Sequence, residues 1–564
     1  MLPFQADTVK TRELSLRALL TGLLLGALLV PANIYSGLKI GWSFNMSIIA
    51  LLVGYAFWQG VAAALGRPRW TLHESNISQT TASACASIAS AGLVAPIPAY
   101  SLLSGQTLPD AALMAWVFSV SFLGVWVAWY LRPALIVGAG LRFPEGMATL
   151  ATLEQIYAHG AEAGRRLAVL GASAVLAAAA KLADALWWTL PRWAPSAQLE
   201  RLTFQLEPSF LLLGFGGIVG LRVGLSLLLG ALLAWGVLAP WLLASGRVAL
   251  AAGASGPQFA ALVEWLLWPG VSLMVSATLT GLAVRLLRER RVTGAPRPAF
   301  ARLPLLGLAL AVLLVVLLQV GLLGIRWWLA LLSIPLALLL ASVAARVVGS
   351  TGIPPIGAMG QLSQLGFGVL APGQMTVNLM SANTAGQCTD LLNDFKVGHL
   401  IDASPGRQAV AQCLGIALGS LVGVLVYGLL IPSPSVLVTP DWPAPAVATW
   451  KAVAEALGGG LDALANETRL AMLAGAAVGL LLGLLEALLP ATWLRRLPSS
   501  AALGLAFVIP ASVSLLMSLG ALLAWLLARR APGLAERFVV VAAAGLVAGE
   551  SMAGVGAALL QLLR

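Results

Sequence analysis

The sequence predicts an all-α, polytopic integral membrane protein of about 14–16 transmembrane helices, broken and re-entrant segments included. Of its 564 residues, 59% are hydrophobic and 10% charged, and the mean hydropathy is +0.92. A soluble chain of this length carries about 25% charged residues. Apolar runs at Ala18–Ile34, Ile48–Leu65, Ala112–Leu131, Leu303–Leu323 and Trp327–Val348 reach or approach the ~20 residues that cross ~30 Å of hydrocarbon. The runs are continuous, whereas barrel strands alternate over ~10 residues. Helices alone satisfy their own backbone hydrogen bonds in lipid.

The formal net charge of +11 reports topology rather than nucleic acid. Lys10, Arg12 and Arg17 precede the first run, Arg67 and Arg69 follow the second, and Arg132 and Arg142 follow the fourth crossing. The densest cluster is Arg285, Arg288, Arg290, Arg291, Arg297 and Arg302. Excess Arg and Lys beside spans marks the cytoplasmic side, with some attraction to anionic lipid. The first run is too long for a signal-peptide core and lacks a small-residue cleavage site, so it is read as a retained span. Cys85, Cys388 and Cys413 are scattered among small and apolar residues, which gives neither a disulfide framework nor a zinc spacing.

From a cytoplasmic amino terminus, four crossings fill roughly 16–136. Phe143–Tyr157 is too short and polar to be a fifth, and is expected to enter and leave on one side. Crossings near 166–190, 208–222, 224–244 and 258–284 return the chain inside at the basic loop. The chain therefore divides into a first half, 1–302, and a second, 303–564. In the second half, spans are expected near 303–323, 327–348, 406–430, 469–489 and 538–562. The stretches 353–400 and 499–528 are broken by Pro, Gly and polar residues, and 432–468 is expected to be an external excursion. Non-helical backbone at membrane depth is tolerated only inside protein or along a cavity.

Two segments echo between the halves. Ser78–Cys85 and Ser381–Cys388 share Ser, Thr, Ala and Cys in register; Phe143-Pro-Glu-Gly and Ile509-Pro-Ala-Ser each follow a span and are expected to open a short, polar helix. Paired broken segments point to a transporter binding site.

Polar residues inside apolar segments cost on the order of 2.5–3.5 kcal/mol when charged, so their positions are informative. Asn33–Gly41 places Asn33, Tyr35 and Lys39 between two spans; Lys39 either serves that polar break or snorkels to the headgroups. His73–Thr81 opens a span rich in Ala and Ser, where Glu74, Asn76 and Gln79 either cap the helix or line a cavity. In Arg142-Phe-Pro-Glu-Gly146, Pro144 suits a first helical turn and Glu145 its positive end. There Glu145 either complements the dipole or offers a carboxylate to a proton or cationic solute. Gly352–Gln361 leads to Gln364 and then to Asn383, Gln387, Asp390, Asn393, Asp394, Lys396 and His399. Asp390 and Asp394 share a helix face, and Asn383 and Gln387 are expected to line a cavity.

Enzyme signatures are absent. His73–Ile77 lacks the second His of a helical zinc-protease motif, Lys39 lies outside any phosphate-binding loop, and no Gly-x-Ser-x-Gly turn occurs. No catalytic residue, cofactor or resident metal site is expected.

These blocks resemble the oligopeptide transporter family, which includes peptide carriers and yellow stripe-like carriers of metal chelates. The matching blocks are Asn33–Gly41, Glu74–Ser83, Leu141–Gly146, Thr351–Gln364, Gln387–Ser404, Phe507–Gly520 and Gly549–Gly554. The last adds Glu550 to the candidate solute or ion path. The Asn-Pro-Gly and Lys-Ile-Pro-Pro-Arg motifs of the peptide branch are missing; Gly352-Ile-Pro-Pro-Ile356 stands nearest. The chain is thus closer to the yellow stripe-like and prokaryotic branch. The resemblance implies proton-coupled uptake of a small peptide or metal chelate across the cell (inner) membrane. Its expected partners are that solute, protons, the bilayer and a second copy in a homodimer, and no nucleic acid. A passive pore or structural membrane subunit is the alternative.

Overall fold

The protein is described from a computed structural model over residues 13–41, 46–66, 68–158, 160–188, 190–248, 256–289, 302–351, 360, 363–364, 367, 379–439, 442–458, 465–494 and 496–562. Helices dominate. In the first half they are α1 (Leu16–Ile40), α2 (Ser47–Leu65), α3 (Leu72–Ala86), α4 (Pro96–Ser104), α5 (Asp110–Gly138), α6 (Pro144–Ala158), α7 (Gly160–Leu186), α8 (Phe210–Val219), α9 (Leu221–Ala244) and α10 (Phe259–Glu289). The second half holds α11 (Arg302–Gly321), α12 (Trp327–Thr351), α13 (Leu379–Leu400), α14 (Pro405–Leu430), α15 (Pro445–Gly458), α16 (Asn466–Leu488), α17 (Ser500–Leu505), α18 (Ala511–Arg530) and α19 (Pro532–Leu562). Among the described residues, 12 helices are long and apolar enough to cross a membrane. The chain is an all-α, multi-pass membrane protein.

Several boundaries differ from expectation. The crossing expected near 208–222 is the 10-residue α8, about 15 Å long at 1.5 Å per residue; a Gly220 φ of +82° ends it and restarts the chain as α9. The 499–528 stretch is broken only once, after α17, and α18 is a 20-residue span rather than a short polar helix. The excursion at 432–468 contains α15, whose Val447, Ala448 and Trp450 are buried against α4 and neighbouring helices. Its apolar residues recur at helical spacing, which a five-proline count conceals. Residues 352–359 and 361, including the Pro-Pro pair and Gln361, lie outside the described residues.

α3 is the innermost element because its composition allows it. From Thr80 to Ala86 it carries only Thr, Ser, Ala and Cys, and Glu74–Ala86 are all buried. Gly22 and Gly26 of α1 meet it from one side, where a Cβ would strike Ser78, Thr81 or Cys85. From the other side Gly415 and Gly419 of α14 lie against the Thr81 and Cys85 carbonyls. Small residues permit this backbone approach, and in lipid such packing replaces hydrophobic drive. The same device joins α16 to α10 and α19 to α7. At the periphery Leu16, Leu20, Leu24 and Leu28 of α1 form an exposed i, i+4 row, the face suited to acyl chains.

α6, with 15 residues, is too short to cross the bilayer alone. Its start is held by Asn393 of α13, and at its end the Tyr157 hydroxyl meets Ser75 Oγ at 2.9 Å. Asn76, beside Ser75, and Asp394, beside Asn393, are both reached by Gln408.

Candidate functional site

Polar residues on α3, α13 and α14 converge where these helices meet, with α2 and α6 closing the region. Gln387 Nε2 donates to Ser87 Oγ at 2.9 Å, tying α13 to the 3-10 turn that extends α3, and Asp390 lies close to the same Ser87. The Ser47 hydroxyl donates to Asp394 Oδ1 at 3.4 Å, and Gln79 lies beside the same carboxylate. Gln79 Nε2 donates to Asn76 Oδ1 at 3.3 Å, and Gln408 Nε2 donates to the Asp394 carbonyl at 2.9 Å. On α6, Glu145 Oε2 accepts from Asn393 Nδ2 at 3.1 Å, while the Gly146 N–H donates to Asn393 Oδ1 at 3.2 Å. A Cβ at Gly146 would collide with the Asn393 carbonyl, so glycine lets α6 dock there. Glu145, Asp390 and Asp394 are close enough for their charges to repel.

The region is under-satisfied. Among the described residues, Asn76 Nδ2, Gln79 Oε1, Gln387 Oε1, Asp394 Oδ2 and both side-chain polar atoms of Gln412 are buried without a hydrogen-bond partner. Each such atom costs about 1–3 kcal/mol, so stability alone disfavours gathering six. The set offers donors and acceptors together with carboxylates, which suits a solute carrying amide, amine and carboxylate groups. Among the described residues no group of three or more His, Cys, Asp or Glu is placed to hold a metal ion.

The other sequence-predicted residues lie outside this convergence or touch only its edge. Asn33 is buried on α1 and its Nδ2 donates to the Ala86 carbonyl at 2.9 Å, below Ser87. Glu74 completes a capping box with Thr71 and takes Arg17 and Ser15 as partners, so it closes the start of α3. Lys39 lies over the Trp442 ring, 5.4 Å from its centroid, and Tyr35 meets the same ring edge-on at 5.3 Å. Lys39 also acts electrostatically on Glu550. Glu550 accepts from Ser209 Oγ and the Leu211 N–H, both at 2.8 Å, and so caps α8. Gln364 Nε2 donates to the Trp450 carbonyl at 3.2 Å. Asn383 is in the first turns of α13, its side chain outside the described residues.

Sequence reasoning missed Gln408, Gln412 and Ser47 as site residues. A pair of glutamines one turn apart within the apolar α14 was the available signal.

Comparison with known proteins places these residues in a family. The family described as OPT oligopeptide transporter protein matches residues 13–288 and 300–561. A Haemophilus influenzae protein named "Putative oligopeptide transporter" is 26% identical, over 92% of this chain and 91% of its own. The metal-nicotianamine transporter YSL2 of Arabidopsis thaliana is 23% identical, over 96% of this chain and 92% of its own. With the match running through nearly every helix from α1 to α19, the chain belongs to the oligopeptide transporter family of membrane transporters.

Proposed function

We propose that the protein is a proton-coupled secondary carrier that imports a small peptide or peptide-like metal chelate across the cell membrane. The observation that carries this reading is the group of buried, unpartnered amide and carboxylate atoms on α3, α13 and α14. A carrier needs a site whose polar groups are completed by its solute. Helices of both halves contribute, α2, α3 and α6 from the first and α13 and α14 from the second, as alternating access about a shared site requires. Glu145, Asp390 and Asp394 supply the exchangeable proton or the contact to an amine. A relative named as a metal-nicotianamine transporter supports a chelate as cargo.

A chelated metal is cargo held by its own ligand; the site's amides then recognise the chelator's carboxylates and amines. The test is uptake by proteoliposomes under an imposed proton gradient. Saturable uptake that stops when the gradient is collapsed is expected; unsaturable flux indifferent to the gradient would identify a pore.

A further inference from the structure

We propose that Arg132, Lys396 and His399 form a binding site for a phosphate-bearing anion, where the last turns of α13 meet the end of α5. Lys396 is only 8% exposed and, among the described residues, makes no hydrogen bond or ion pair. Arg132 Nε is also buried without a partner, and the guanidinium carbon lies 5.8 Å from the centroid of Phe395, the residue before Lys396. The charges of Arg132 and Lys396 both bear on His399, with Asp402 the opposing acid. A buried cation is costly unless an anion is beside it, and among the described residues Asp402, which acts on His399, is the acid found at this cluster.

The site is separate from the amide region. Lys396 is two residues beyond Asp394 and points about 200° away around the helix. Arg132 and His399 are only partly buried, so the cluster reaches the surface at the end of α5. Its charge rule side is cytoplasmic. A phosphate fits better than a lone carboxylate. It brings several acceptor oxygens, which an Arg fork, an ammonium and an imidazole from two helices can share. Both an anionic phospholipid headgroup and free phosphate offer that chemistry.

The experiment is thermal unfolding of the purified full-length chain. One arm titrates phosphatidylglycerol into phosphatidylcholine nanodiscs; the other titrates inorganic phosphate in detergent against chloride at matched ionic strength. A saturable rise in unfolding temperature is expected in at least one arm, and which arm identifies the source. Lys396→Met and Arg132→Gln should each weaken that response at least about tenfold, the worth of one charge-assisted contact. Without the anion, Lys396→Met should unfold no earlier than wild type, because an uncompensated buried charge has been removed. No response beyond the controls, equal responses in wild type and both variants, or early unfolding of anion-free Lys396→Met would each overturn the proposal.

Discussion

Asn393 grips Glu145 from 248 residues away in the chain, its Nδ2 donating to Oε2 at 3.1 Å, while its own Oδ1 receives the next backbone N–H of α6. One amide thus holds both the start of a helix and the carboxylate that sits on it. Both contacts tie the start of α6 to α13.

Glu145→Gln preserves an acceptor for Asn393 and removes the titratable group. The variant should fold and bind solute, while its uptake loses most of its response to the proton gradient. Full gradient-driven uptake in Glu145→Gln, with loss only in Glu145→Ala, would make the residue a helix cap.

Gln387, Asn76 and Gln79 each combine one satisfied polar atom with one unpartnered one. Single Ala substitutions should raise the apparent KM roughly 5- to 150-fold, equivalent to about 1–3 kcal/mol per lost contact. Unfolding temperature should change little, because each substitution also removes an unsatisfied buried atom. A large drop in stability at unchanged KM would make these amides structural.

Close packing around α3 gives a stability prediction. Gly419→Val places side-chain atoms on the Cys85 backbone and should destabilise by about 1–3 kcal/mol, the usual cost of overpacking. Gly428→Ala, on the same helix with nothing within 4 Å of its added Cβ, should be close to neutral. Equal effects in a detergent unfolding assay would contradict the packing described for α14.

Arg17 and Glu74 form an ion pair whose acidic partner is almost fully buried. Arg17→Met strands that carboxylate and should cost about 1–3 kcal/mol, less than a fully buried pair because Arg17 is partly exposed. Adding Glu74→Gln should recover part of the loss, a coupling that a double-mutant cycle measures directly.

Much of this organisation was legible in the sequence, for identifiable reasons. Long apolar runs specify spans through length alone, and Pro144 with Glu145 announces the start of α6. The acids of α13 stand out because charge is rare in apolar surroundings. What remained hidden depends on long-range pairing. Nothing local tells that Arg17 meets Glu74, 57 residues on, or that Gln408 reaches back to α3. Glu550 was visible as an intramembrane acid, yet its position at the start of α8 follows only from how α19 crosses that helix.

The central claim is that the amide and carboxylate atoms between α3, α13 and α14 recognise a solute bearing amines and carboxylates, with any metal already chelated. The most direct measurement is proton-driven uptake of a labelled metal chelate in wild-type and Gln387→Ala proteoliposomes, with free metal ion, unlabelled chelate and small peptide as competitors. Competition by chelate or peptide, none by the free ion, and a raised KM in the variant are expected. Robust transport of the naked ion, competed by neither chelate nor peptide and indifferent to Gln387→Ala, would contradict it.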